Sequence, residues 1–302
     1  MNYQLQIWLY ENKDQIPNMY RTVKIPKKNG KLRTLEIPNA LLNCCQGDIK
    51  EHLENRANCS RYAEAYQKGK SLKNTVNKHI NQKILLKLDI KNFFGSITPE
   101  LVTRNVFPDK TENYMTELCC CNGHLPQGAC TSPIISNLVM KNFDDELGKF
   151  CEEHRINYSR YSDDMIFSGS FNPGMIIRKV KEMLKKLGMK LNNEKTIVAG
   201  RSSKQMVLGV IVNEKMQLPS EYRRQIRQEV YYCSKYGVTN HIVASNKEKY
   251  IERDQNNGIV FVDALRYVSA LLGKISYTLY INPQDSKMAN YYNTIHRLFE
   301  II

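Results

Sequence analysis

The hydrophobic pattern changes period several times along the chain. Residues 24–38, KIPKKNGKLRTLEIP, set two basic, β-prone runs on either side of Asn29-Gly30. That dipeptide suits the positive φ of a tight hairpin turn, so a hairpin is expected here. Residues 39–57 return to a helical spacing. The apolar run LLKLD ends on Asp89 and predicts a strand within residues 82–98. Residues 124–154 predict a loop opening into one helix, with Pro133 in its first turn and Ile134, Leu138, Phe143 and Leu147 along one face. INYSRYSDDMIFSGS, residues 156–170, predicts two short strands around a turn at Asp163 and Asp164. Residues 175–192 predict an amphipathic helix stopped at Gly188. Residues 195–200 and 205–213 are strand candidates. From about 219 the pattern becomes helical and basic, with Arg223, Arg224 and Arg227 in one segment. Mixed strand and helix followed by a mostly helical C-terminal region predicts an α+β fold, with a boundary near residue 214.

Composition narrows the function classes. A chain of 302 residues can bury one large core or form two or three subdomains. Its hydrophobic content of 42% is that of a globular protein. The longest apolar runs are too short to span a bilayer. The N-terminus, MNYQLQIWLYENKDQIP, lacks a basic region followed by an apolar one, so a cytoplasmic protein with no membrane partner is expected. Lys and Arg number 44 against 30 Asp and Glu, a net charge of +14 spread along the chain. Such a surface attracts polyanions and makes nucleic acid the leading partner, with a merely basic or ribosome-associated protein as the bland alternative. Cys119, Cys120, Cys121 and His124 offer metal ligands on paper. Without a paired CxxC set, the nine cysteines read instead as reduced core thiols.

The adjacent Asp163 and Asp164 raise the chemical question. Neighbouring carboxylates repel, and strands disfavour Asp. A solvated hairpin tip would tolerate them; a divalent metal site would use them. If the strand ending at Asp89 lies beside that hairpin, three carboxylates converge. Hard oxygen ligands suit Mg²⁺, and two such ions serve nucleotidyl transfer.

The chain resembles a reverse transcriptase. LKLDIKNFFGSI resembles the first catalytic motif of the palm and LPQGACTSPIISNL the second, a QGxxxSP signature. RYSDDMIFSG resembles the third, LGMKLNNEKT the fourth and VLGVIVN the primer grip, all in the family's order between about residues 24 and 280. The resemblance implies a right-hand polymerase. Residues 1–213 would form fingers and palm, an antiparallel sheet plus helices, and residues 214–302 a mostly helical thumb that binds RNA and primer-template. It implies two Mg²⁺ ions held by Asp89, Asp163 and Asp164, the last a lesser ligand. Lys195 would protonate the pyrophosphate, a surface lysine being the alternative. Arg33 and Lys24 would meet the triphosphate, with Phe94 under the incoming sugar selecting dNTPs. Gln127 and Gly128 would lie near the nucleotide and template, and Gly209 would admit the primer backbone. Ser132 and Asn137 would order the loop and helix. His79 is assigned to RNA. Arg223, Arg224 and Arg227 would track a duplex backbone or grip an RNA stem. Tyr277 or Tyr280 would stack on a base, though core packing is favoured for most aromatics of residues 267–283.

Within the family the chain resembles bacterial retron enzymes, notably over AYQKGKSLKNTVNKHINQKILLKLDIKNFF. Its length leaves no room for an RNase H, integrase or endonuclease domain. It departs from the retron pattern at Thr75 in the NAxxH segment, at Leu208 in the VTG triplet and at Ser162 where Ala is usual. Retron membership implies a cognate structured noncoding RNA as template and primer, a cDNA product joined to it as msDNA, and antiphage defence with an effector or toxin protein. The alternatives are another defence-associated or group II-like reverse transcriptase with a different priming rule, an RNA-binding scaffold with little synthesis, and a polymerase using rNTPs.

Overall fold

The computed structural model describes residues 3–26, 30, 32–56 and 58–301. By internal contacts it divides into two compact units, residues 1–203 and 204–302.

In the first unit, β1 (Tyr20–Pro26) and β2 (Leu32–Pro38) pair as the expected antiparallel hairpin. Asn29 of the expected turn lies outside the described residues. β3 (Ile84–Asp89), β4 (Asn157–Tyr161), β5 (Asp164–Gly169) and β6 (Ile197–Gly200) form an antiparallel sheet in the order β4-β5-β3-β6. Leu86 and Leu88 of β3 and Met165 and Phe167 of β5 join one core with Ile49 of helix Ala40–Arg56, Leu147 of helix Lys141–Glu153 and Val180 of helix Pro173–Lys186. Burying both sides of the central strand explains why LLKL reads as an apolar run rather than an alternation.

The single helix expected within 124–154 is two helices, Ser132–Val139 and Lys141–Glu153, interrupted at Met140 where ψ is −2°. Both bury an apolar face, so the periodicity runs through the break. The nine cysteines are free. Burial pushes the thiols of Cys45 and Cys120 up to about 12 and that of Cys121 to about 11, which keeps them protonated core groups.

In the second unit the strand expected at 205–213 is a tight hairpin, β7 (Met206–Val207) and β8 (Val210–Ile211). Leu208 and Gly209, at φ +48° and +83°, are its central residues. Positive φ at both positions is the type I′ turn, and Leu there disguises the turn as strand. Four helices follow: Ser220–Tyr236, Val238–Ala244, Ala264–Ile281 and Ser286–Ile301. They pack around Ile226, Val230, Val268, Leu271, Ile275 and Ile295. A small hairpin, β9 (Ile251–Arg253) with β10 (Ile259–Val262), interrupts what the sequence suggests is helical. Among the described residues no helix is long and apolar enough to cross a membrane.

Candidate active site

The register of β3 on β5 sets Asp89 directly opposite Asp164. Opposite residues of an antiparallel pair project from the same face, so the two carboxylates share one side of the sheet end. Asp163 sits in the β4–β5 turn, next to Ser162 at φ +59°. Its carbonyl accepts from Ile90 N–H at 3.1 Å, while the Asp89 carbonyl accepts from Asn192 N–H at 2.8 Å. The backbone thus ties the ends of the first, third and fourth motifs together.

Electrostatics record the crowding. The Asp163 carboxyl is pushed up by burial and by the Asp89 charge, with Lys195 and Arg33 working the other way. That of Asp164 is pushed up by burial, eased by Lys87, and raised further by Asp163 and Asp89. Lys195 Nζ lies 2.6 Å from Asp89 Oδ2, and this hydrogen bond holds the ammonium above its ordinary value. Asp89, Asp163, Asp164 and Lys195 are therefore within electrostatic reach of one another, and Arg33 reaches Asp163.

Partly buried, mutually repelling carboxylates suit a hard cation. Among the described residues no three His, Cys, Asp or Glu side chains form a closed ligand group. Mg²⁺ does not demand one: it takes one or two protein carboxylates and completes its shell with water and substrate phosphate. The donor set fits that kind of site.

Around this cluster, Phe94 is half-buried at the start of a short 3₁₀ turn, Phe94–Ser96, its ring tilted 59° to the core ring of Phe93 at 5.3 Å. The Gln127 carbonyl accepts from Glu36 N–H of β2 at 2.9 Å. Gly128 has φ +144°, and a Cβ there would stand 2.6 Å from the Glu36 carbonyl oxygen. Only glycine lets this loop lie against the hairpin that carries Arg33. Gly128→Ala is expected to lower single-nucleotide incorporation by roughly tenfold to a hundredfold, the cost of a strained backbone and a displaced loop, measured as kcat/KM. Lys24 is not brought together with Arg33. It faces Thr34 in register while Arg33 faces Ile25, so the two project from opposite sides of the ribbon.

Residues 25–212 match the family model described as "Reverse transcriptase (RNA-dependent DNA polymerase)". The chain is 34% identical over 233 residues to the Retron Ec83 reverse transcriptase of Escherichia coli, covering 70% of this chain and 75% of the relative. The chain belongs to the retron-type reverse transcriptases. It is an RNA-directed DNA polymerase. The Retron Ec86 reverse transcriptase of E. coli is 27% identical, with 74% of this chain and 73% of the relative covered. Among solved structures, apo telomerase from Candida tropicalis truncated from its C-terminal domain superposes at a TM-score of 0.48 and 16% identity, covering 72% of this chain and 60% of that one. That likeness is too distant to carry an argument.

The reverse transcriptase holds the β4–β5 turn that carries Asp163 with a residue that sequence reasoning missed. Arg160 of β4 is fully buried. Its Nε lies 2.9 and 3.0 Å from the two Asp144 carboxylate oxygens, and its Nη2 donates to Asp144 at 2.7 Å and to Asn137 Oδ1 at 3.1 Å. Its Nη1 donates to the Ser162 carbonyl at 2.8 Å, one residue before Asp163. Tyr158 donates to Asp144 at 2.8 Å. Burial works against the guanidinium charge, and Asp144 outweighs it and holds the group above its ordinary value. The available signal was an arginine in the middle of an expected strand, between Tyr158 and Tyr161. Asn137 also donates to the Ala65 carbonyl at 2.8 Å, and the Ser132 hydroxyl to that of Pro126 at 2.6 Å, both ordering roles.

The assignment of His79 to RNA is corrected. Its side chain is fully buried, with Nδ1 2.8 Å from the Ser168 hydroxyl and Nε2 2.7 Å from that of Ser159. Burial pushes it down to about 3, so it is a neutral structural group with no surface to offer. Tyr277 and Tyr280, by contrast, are exposed and stack on each other at 6.5 Å. Gly209 is exposed, with open space where a Cβ would stand. Arg224 and Arg227 are exposed, whereas Arg223 is half-buried and pairs with Asp285 at 3.7 Å.

Proposed function

We propose that this reverse transcriptase copies part of a cognate structured noncoding RNA, primed from that RNA itself, into RNA-linked single-stranded DNA, in the cytoplasm and in the service of antiphage defence with an effector protein. The reading rests on the carboxylate cluster at the β3–β5 sheet end together with the similarity to named retron enzymes. In it, residues 1–213 act as fingers and palm and residues 214–302 as the thumb.

Asp89 and Asp163 would hold the metal ions, with Asp164 in support. Two Mg²⁺ ions bound there would supply activation of the attacking 3′ hydroxyl and charge stabilisation at the leaving pyrophosphate. Lys195, kept protonated by Asp89, has a proton to give to that leaving group. Arg33, whose charge reaches Asp163, would bind the triphosphate. Gln127 and Gly128 line the nucleotide side of the loop, and Gly209 leaves room for primer backbone.

Phe94 is the proposed sugar gate. Phe94→Ala is expected to raise the rNTP-to-dNTP ratio of kcat/KM by roughly tenfold or more, because the clash with a 2′-OH is lost. An unchanged ratio would remove the gate assignment.

The functional test is synthesis without an added primer. The protein is purified with its co-isolating nucleic acid, then given Mg²⁺ and labelled dNTPs beside an Asp163→Asn control. Discrete labelled DNA whose mobility shifts after RNase treatment is the expected result. Labelled DNA indifferent to RNase would replace RNA priming with protein priming or de novo initiation.

A further inference from the structure

The helix Ser220–Tyr236 buries Ile226, Val230 and Cys233 on one side. Its opposite side carries Arg224, Arg227, Tyr231 and Lys235, all exposed, at the i, i+3, i+7, i+11 spacing that forms a straight stripe. The stripe runs for about 16 Å at the helical rise. Lys235 Nζ donates to the Tyr231 hydroxyl at 3.0 Å and lies 5.4 and 5.1 Å from the ring centroids of Tyr231 and Tyr236. Beside it the rings are already stacked. Tyr232 lies between His241, at 5.5 Å and 14°, and Tyr236, at 6.1 Å and 22°. Tyr231 and Tyr236 are 52% and 51% exposed, so large aromatic surface meets solvent.

Of the helix carboxylates, Glu221 stands one turn before Arg224 at the N-terminal end of the stripe, and Glu229 lies off it. Glu229 is bound by His241 at 2.6 Å, by Lys247 at 2.8 Å and by the Tyr267 hydroxyl, and this net anchors the His241 end of the ring stack. Glu221 lies in the first turn, 4.0 Å from Lys204.

A basic stripe interleaved with exposed rings has a specific use. Cations alone would track any phosphate backbone. A duplex keeps its base faces covered, and exposed tyrosines gain nothing from it. Unpaired bases stack on such rings while their phosphates meet the arginines. We propose that Tyr231, Tyr236 and Lys235, flanked by Arg224 and Arg227, bind an unpaired segment of RNA rather than a duplex. This rests on the functional reading above and names the feature of the RNA that this helix takes.

The test uses the full chain, fluorescence anisotropy and two labelled probes: an oligoadenylate of about 12 nucleotides and a blunt RNA duplex of matching length. Tyr231→Ala with Tyr236→Ala is expected to weaken oligoadenylate binding by roughly tenfold or more, with an unchanged salt slope and unchanged duplex binding. The paired Tyr→Phe variant keeps the rings and is expected to bind as wild type. Arg224→Ala with Arg227→Ala is expected to flatten the salt slope by about one to two. Equal loss on both probes would make the helix a duplex-tracking surface and overturn the proposal. So would unchanged oligoadenylate binding in the Ala pair, the result expected of a protein-docking face. Loss in the Phe pair would point to hydroxyl contacts instead of stacking and also overturn it. The RNA-linked product of the wild-type protein is assayed separately, so failure of the retron reading shows there and failure of this one shows only in binding.

Discussion

Asp163→Asn is expected to lower nucleotide incorporation by roughly 10³-fold or more while making the metal-free protein slightly more stable. The two effects share one cause. The Asp163 carboxyl is held above its ordinary value by burial and by Asp89. A folded-state value above the unfolded one means that, as pH rises, the unfolded chain releases its proton first. Stability is then lost across the interval between the two values, and at neutral pH the full penalty applies. Asn carries no charge and removes it. The partly exposed site screens some of the repulsion, so the gain in Tm is small, roughly 2 °C. Removing a ligand from a site that stabilises transition-state charge costs several kcal/mol, hence the fall in rate. Differential scanning fluorimetry with and without Mg²⁺, beside a primer-extension assay, reads both. Mg²⁺ should raise Tm in the wild type and much less in the variant. A variant that is less stable without metal, or that still extends primer, would contradict the assignment.

Arg160→Ala is expected to lower stability by about 3–5 kcal/mol, because it strands the Asp144 carboxylate in the core. Much of the 5–15 kcal/mol typical of a domain would be gone. Arg160→Met combined with Asp144→Leu removes both charges and is expected to recover part of that loss in urea unfolding. Activity should not return with it. The Ser162 carbonyl would still lack the Arg160 donor that holds the residue before Asp163. Stability and activity that recover together would show that Arg160 serves packing alone.

The helices and strands that bear the site were largely legible, because each carries a local signal. An apolar run ending in Asp marked β3, two β-prone runs marked the first hairpin, and Pro133 with its apolar face marked the helix after the QGxxxSP loop. The hidden features lacked such signals. Leu208 occupies a positive-φ position that sequence assigns to Gly or Asn, so a turn passed for strand. Lys24 and Arg33 look alike in a basic run, and only strand register separates their faces.

By itself the sequence determined the family and the order of its motifs, and it pointed to Asp89, Asp163 and Asp164, since these are carried by residue type and spacing along the chain. Whether a polar side chain faces solvent or core depends on partners far away in sequence, and the tertiary structure alone decided it. His79 became a core residue because Ser159 and Ser168 are waiting for it. Arg160 became the brace of the β4–β5 turn because Asp144, on a helix before the strand, offers a charge in the same dry interior. A buried polar group must find its partner or pay the cost of desolvation, and that partner is visible only once the chain has folded.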